Sequence, residues 1–173
     1  MKTIVLIVAA ACVAFAQEDF DFKSLDKLAA RAKESSNITL DPDTLKAAGT
    51  LLGKEDGLSS KLKDVKSIHV RNYKYAETGQ YDPAVLRPLL AYLDRPEWKT
   101  IVDVKDGKET TRICVKPHAN GDSGGLALVS MEPKEVSVIM ISGSLSLNDL
   151  GKLSDLGLPN ALISHEDPKP DKK

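Results

Sequence analysis

The sequence predicts an α+β fold: a largely antiparallel sheet with helices packed on one face, and a C-terminal β-meander followed by a helix. Three observations point there. Before Trp98, apolar residues recur at three- and four-residue spacing in several segments, the period of a helix with one buried side. After Trp98 the spacing becomes two, the period of strands. Short turn formers, Asp106-Gly107 and Glu132-Pro133-Lys134, join the strand-like stretches as hairpins.

The first helix is expected over 20–35, where Phe22, Leu25, Leu28, Ala29 and Ala32 share a side. Ile38 and Leu40 alternate in a short extended piece that Asp41-Pro42 ends. Asp41 can cap a new helix because its carboxylate accepts from unpaired N–H groups, and proline fits the first helical position. Leu45, Ala48, Leu51 and Leu52 line that helix, and Gly53 stops it. A short helical piece at 58–63 leads into a strand over 65–76, VKSIHVRNYKYA, rich in β-branched and aromatic residues. Asp82-Pro83 opens a helix reaching Leu93, with Leu86, Leu89, Leu90 and Leu93 apolar, and Pro88 should distort its first turns. Two hairpins follow over 98–116 and 124–142, then an amphipathic helix at 147–156. The end of the chain, 165–173, is a charged tail too polar to fold.

Lys2, the apolar run Ile4 to Val13 and then Ala14-Phe15-Ala16 read as a secretory leader over 1–16, cleaved before Gln17. The run is too short to cross a bilayer. The chain is therefore expected to be extracytoplasmic, periplasmic or secreted, with a single α+β domain over 17–164. Ala9-Ala10-Ala11-Cys12 loosely resembles a lipoprotein signal, a second reading that places a lipid anchor at Cys12, although Ala9 stands where a leucine-like residue is usual. No other apolar stretch has spanning length. With 24 basic and 25 acidic residues, the net charge of −1 supplies no field for nucleic acid or anionic lipid. Cleavage at Gln17 leaves one thiol, Cys114, so an intramolecular disulfide is excluded.

Residues 121–125, Gly-Asp-Ser-Gly-Gly, spell the pentapeptide around the nucleophile of trypsin-like proteases. Such a serine needs a histidine base, a buried aspartate behind it and an oxyanion hole. His69 lies mid-strand and His118 only five residues before Ser123, neither in a fitting context, and the chain is short for two β-barrels. The family also continues with proline, where Leu126 begins a strand here. The pentapeptide reads instead as a turn between strands, with Gly124-Gly125 permitting a bulge or close backbone approach.

Alternation through TTRICVK places Arg112, Cys114 and Lys116 on one face, opposite Thr111, Ile113 and Val115. A thiol between two cations gains thiolate character, yet no second cysteine or nearby histidine supports a reactive role. Asp41/Asp43, Asp19/Asp21 and Glu166/Asp167 are explained as a helix cap, an acidic lead-in and a tail, and His165 as solvated, so no metal site is expected. Asn37-Ile38-Thr39 matches a glycosylation acceptor and is expected to be silent.

One constellation remains. His69, Arg71, Tyr73 and Tyr75 project opposite Ile68 and Val70. If helices cover the Ile68 face, the four form an open face with groups suited to a peptide, glycan or protein.

Thr39-Leu40, Ile68-His69-Val70-Arg71-Asn72-Tyr73, Tyr81-Asp82-Pro83, Trp98 and Gly124-Gly125, in that order, resemble the domain of unknown function 4252 family of secreted bacterial proteins. The resemblance covers about residues 19–160 and implies an exported, non-enzymatic domain with no catalytic residues to carry over. The expectation is an exported interaction or accessory module of the cell envelope, without cofactor or metal, whose partner is an envelope protein or peptide. The alternative is an extracytoplasmic hydrolase or thiol enzyme using Ser123 or Cys114.

Overall fold

The computed structural model describes residues 19–51, 64–118 and 123–145. Its centre is one six-stranded antiparallel sheet: β1 (Glu34–Leu40), β2 (Val65–Lys74), β3 (Lys99–Asp106), β4 (Glu109–Pro117), β5 (Ser123–Glu132) and β6 (Glu135–Leu145). The spatial order is β1-β2-β6-β5-β4-β3. The four C-terminal strands form the expected meander with hairpins at the expected turns. Its last strand then docks on β2, and β1 completes the far edge.

The helical parts are short. A 3-10 helix, Phe22–Arg31, is capped by the Asp21 side chain, which accepts from the Lys23 N–H at 3.0 Å. It replaces the longer helix expected over 20–35, because the chain turns extended at Ala32 and its next residues join β1. Helix α1 is Pro42–Leu51, and Asp41 caps it as expected, its Oδ1 accepting from the Thr44 N–H at 2.8 Å. The segment from Pro83 splits into a 3-10 turn, Pro83–Leu86, and helix α2, Arg87–Leu93. Pro88 sits at the start of α2, where the missing N–H is tolerated, so the break falls just before it. The expected leader, the piece at 58–63, the helix at 147–156 and the tail lie outside the described residues.

Register separates the side chains into rows running across the sheet. On one face, Tyr73, Val136, Val138, Met140, Ala127, Val129 and Cys114 join Leu25 and Leu28 of the first 3-10 helix and Leu86, Leu89, Tyr92 and Leu93 in one core. On the other, Ile68, Val70, Ile139, Ile141, Leu126 and Leu128 form a second core with Leu45 of α1. The helical segments thus serve both faces, unlike the single helical layer expected. The central strands are buried on both sides, and each fully buried Val, Leu or Ile contributes about 1.5–3 kcal/mol.

Candidate functional site

Alternation along β2 holds: His69, Arg71 and Tyr73 lie opposite Ile68 and Val70. The open face expected for them does not exist at Tyr73 and Tyr75. The helical segments Phe22–Arg31 and Pro83–Leu93 cover this face, and Tyr73 is 0% exposed. The Tyr75 hydroxyl donates to the Leu28 carbonyl oxygen at 2.8 Å, and its ring stacks on Tyr81 with centroids 5.0 Å apart. Burial, with smaller contributions from neighbouring Tyr81 and Tyr73, pushes its phenol up to about 12. Both tyrosines belong to the core.

His69 and Arg71 lie closer to the start of β2, beside Phe22. The His69 ring stacks on Phe22 at 4.2 Å, and the Arg71 guanidinium lies 5.2 Å from the same ring. Arg71 donates to the carbonyl oxygens of Ile38 at 2.8 Å and Val70 at 2.9 Å, and to Thr39 Oγ1 at 3.0 Å. Its hydrogen bonds therefore tie β1 to β2. Burial first, and the Arg71 charge second, hold the His69 imidazole below its usual pKa.

Among the described residues, the same face opens at its other end. Ser67 of β2 pairs with Ser142 of β6, Ser142 with Gly125 of β5, and Gly125 with Lys116 of β4. Four adjacent strands thus present two small hydroxyls, no side chain and one ammonium in a single row. This row lies in the floor of a cavity of about 590 Å³, also lined by Asp19, Tyr92, Trp98 and His118. The volume suits a small ligand or a peptide side chain. Trp98 walls the cavity, 7% exposed, with Tyr92 at 6.0 Å and the Lys116 ammonium 6.0 Å from its ring centroid. Register irregularities at Val65/Ser67, Ser123/Gly125 and Lys116/Pro117 gather at this end, where bulges redirect side chains. Gly143, with φ 108, is held there because a β-carbon would collide with the Asp64 carbonyl oxygen.

Ser123 opens β5, 7% exposed, and its Oγ donates to the Gly125 carbonyl oxygen at 3.3 Å. Gly121 and Asp122 lie outside the described residues. The glycine pair does allow the close approach expected: a β-carbon on Gly125 would come within 3.2 Å of the Trp98 ring. Cys114 is 0% exposed, its Sγ 3.4 Å from Thr100 Oγ1, on the face that alternation assigns it. Arg112 turns away to Asp94 at 2.9 Å and Asp103 at 3.1 Å. No cluster with the makings of a metal site occurs among the described residues.

Sequence reasoning missed Ser67, Ser142, Lys116 and Trp98 as one site. Alternation puts Ser67 on the His69 face, but its meeting with Ser142 depends on the register of strands far apart in the chain. Chemically, an aromatic wall, an ammonium and hydroxyls suit a ligand with an apolar ring or stem and a polar or anionic group.

No curated protein matches the chain. The model of the family described as a domain of unknown function (DUF4252) matches residues 29–153, a span holding all six strands and most of the cavity lining. The match covers well over half of the 173 residues, and the chain belongs to the DUF4252 family.

Proposed function

We propose that the chain is an exported, non-enzymatic interaction module of the cell envelope that holds part of an envelope protein or peptide in the cavity at the open end of its sheet. The observation that carries this reading is the row Ser67, Ser142, Gly125 and Lys116, three small residues and an ammonium beneath the Trp98 wall, where the next row on β6, β5 and β4 is Met140, Ala127 and Cys114. Small residues on three adjacent strands leave room over the sheet that a packed core would fill. Two further observations favour binding over catalysis. The Ser123 hydroxyl is occupied at the start of its own strand, and the Cys114 thiol is enclosed. Export rests on the leader-like residues 1–16.

Trp98 is the single tryptophan of the chain, so its emission reports on the cavity. Titration with short peptides bearing an aromatic residue and a terminal carboxylate should shift that emission saturably. Ser142→Leu, which fills the floor, should weaken the response about tenfold, a loss of roughly 1.4 kcal/mol. An equal response in wild type and Ser142→Leu would place the ligand elsewhere.

A further inference from the structure

Among the described residues, strand β3 forms one edge of the sheet, and seven of its eight residues are exposed. Ile101 and Val104 are each 53% exposed, the largest values among the described large hydrophobic residues left open to solvent. An unpaired edge with exposed apolar side chains is a template for another strand. The opposite edge differs, because the Arg71 guanidinium already occupies the Ile38 carbonyl oxygen of β1. The irregularity between Thr100 and Val102 ends regular pairing in β3, so its usable stretch is Val102 to Asp106.

Pairing with β4 sorts this stretch by face. Asp103 and Lys105 lie opposite Arg112 and Thr110, while Val102 and Val104 lie opposite Ile113 and Thr111. A two-fold axis perpendicular to the sheet places residues of one face opposite residues of the same face. An axis through Val104 sets Val104 against Val104, and Asp103 against Lys105 twice. An axis through Asp103 would oppose two carboxylates, and one through Lys105 two ammonium groups, both unfavourable. Charge therefore selects the Val104 register. Asp103 is already fixed by Arg112 at 3.1 Å, so its carboxylate is positioned before a partner arrives.

We infer that β3 pairs antiparallel with β3 of a second copy of this chain, centred on Val104, joining two six-stranded sheets into one. Self-pairing closes the edge in both copies and yields a dimer, whereas pairing β3 with β1 would propagate without closure. The pairing lies across the sheet from the β1 edge and does not depend on a ligand in the Trp98 cavity.

The test combines mass and cross-linking. Sedimentation equilibrium of the chain beginning at Gln17, used for every variant here, should show mass rising toward a dimer with concentration. Lys105→Glu, which puts a carboxylate opposite Asp103, should weaken association about tenfold while leaving the circular dichroism unchanged. Val104→Cys should give a disulfide-linked dimer under mild oxidation, because the two thiols face each other at the axis. Ile38→Cys, on the exposed β1 edge, should form no disulfide-linked dimer under the same conditions. A wild-type chain that stays monomeric to millimolar concentration overturns the inference, as does cross-linking of Ile38→Cys as fast as Val104→Cys. Dimerisation untouched by Lys105→Glu also overturns it.

Discussion

The ring of Trp98 lies directly over Gly125, where a β-carbon would come within 3.2 Å of Cη2 and 3.1 Å of the Ile141 carbonyl oxygen. One obstacle is a side chain packed in the core and the other is backbone, so neither yields freely. Gly125→Ala should therefore destabilise the fold by about 1–3 kcal/mol, the usual range for overpacking. Urea unfolding should show the lower midpoint, and the native emission of Trp98 should shift with its displaced ring.

Tyr73 should prove a core residue. It is fully enclosed beside Leu25, Leu28 and Val136, so Tyr73→Ala removes a large buried ring and should cost about 3–5 kcal/mol. Arg71→Ala should cost less, since its side chain is only partly covered. The measurement is chemical denaturation of each variant, and equal, small losses would restore the open face that alternation alone suggests.

Tyr75 links two structural layers through its hydrogen bond to Leu28, and burial ties it to alkaline stability. Its folded-state pKa of about 12 exceeds the ordinary value of 10.0, so the neutral phenol is the form the fold holds. Below pH 10 both folded and unfolded chains keep the proton and this contribution is complete. Between pH 10 and about 12 the unfolded chain loses it first, and stability falls as pH rises. Tyr75→Phe should lower stability near neutrality by roughly 1 kcal/mol, and should flatten the decline between pH 10 and 12 in urea midpoints measured across that range.

Ser123→Ala should leave the fold within about 1 kcal/mol of wild type, because only a 3.3 Å bond at the start of β5 is lost. A fluorophosphonate probe should leave native Ser123 unlabelled. Stoichiometric labelling that Ser123→Ala abolishes would show a nucleophile there.

The legible parts of this fold are the local ones. Asp41 at the start of α1, the turn at Asp106-Gly107 and the turn at Pro133-Lys134 each announce an element through neighbours in sequence. Pro88 likewise foretells a break, and it appears between the 3-10 turn and α2. What alternation cannot reveal is which face a distant element covers. Tyr73 and Ile68 are separated correctly, yet both sides of β2 are buried, so polarity gave no sign of where the layers lie. The Ser67–Ser142 pair is hidden for the same reason: the docking of β6 on β2 is set by packing across the sheet and leaves no local trace.

Thiol reactivity reports whether the sheet opens beneath Trp98, because Cys114 is enclosed on the very face that carries Ser142. In a chain beginning at Gln17, wild type should react with a water-soluble thiol reagent only after denaturation. Ser142→Cys should add one thiol that reacts within minutes in the folded state. Slow labelling of Ser142→Cys, at the rate of buried Cys114, would show that no open cavity exists at that end of the sheet and that no ligand is held there.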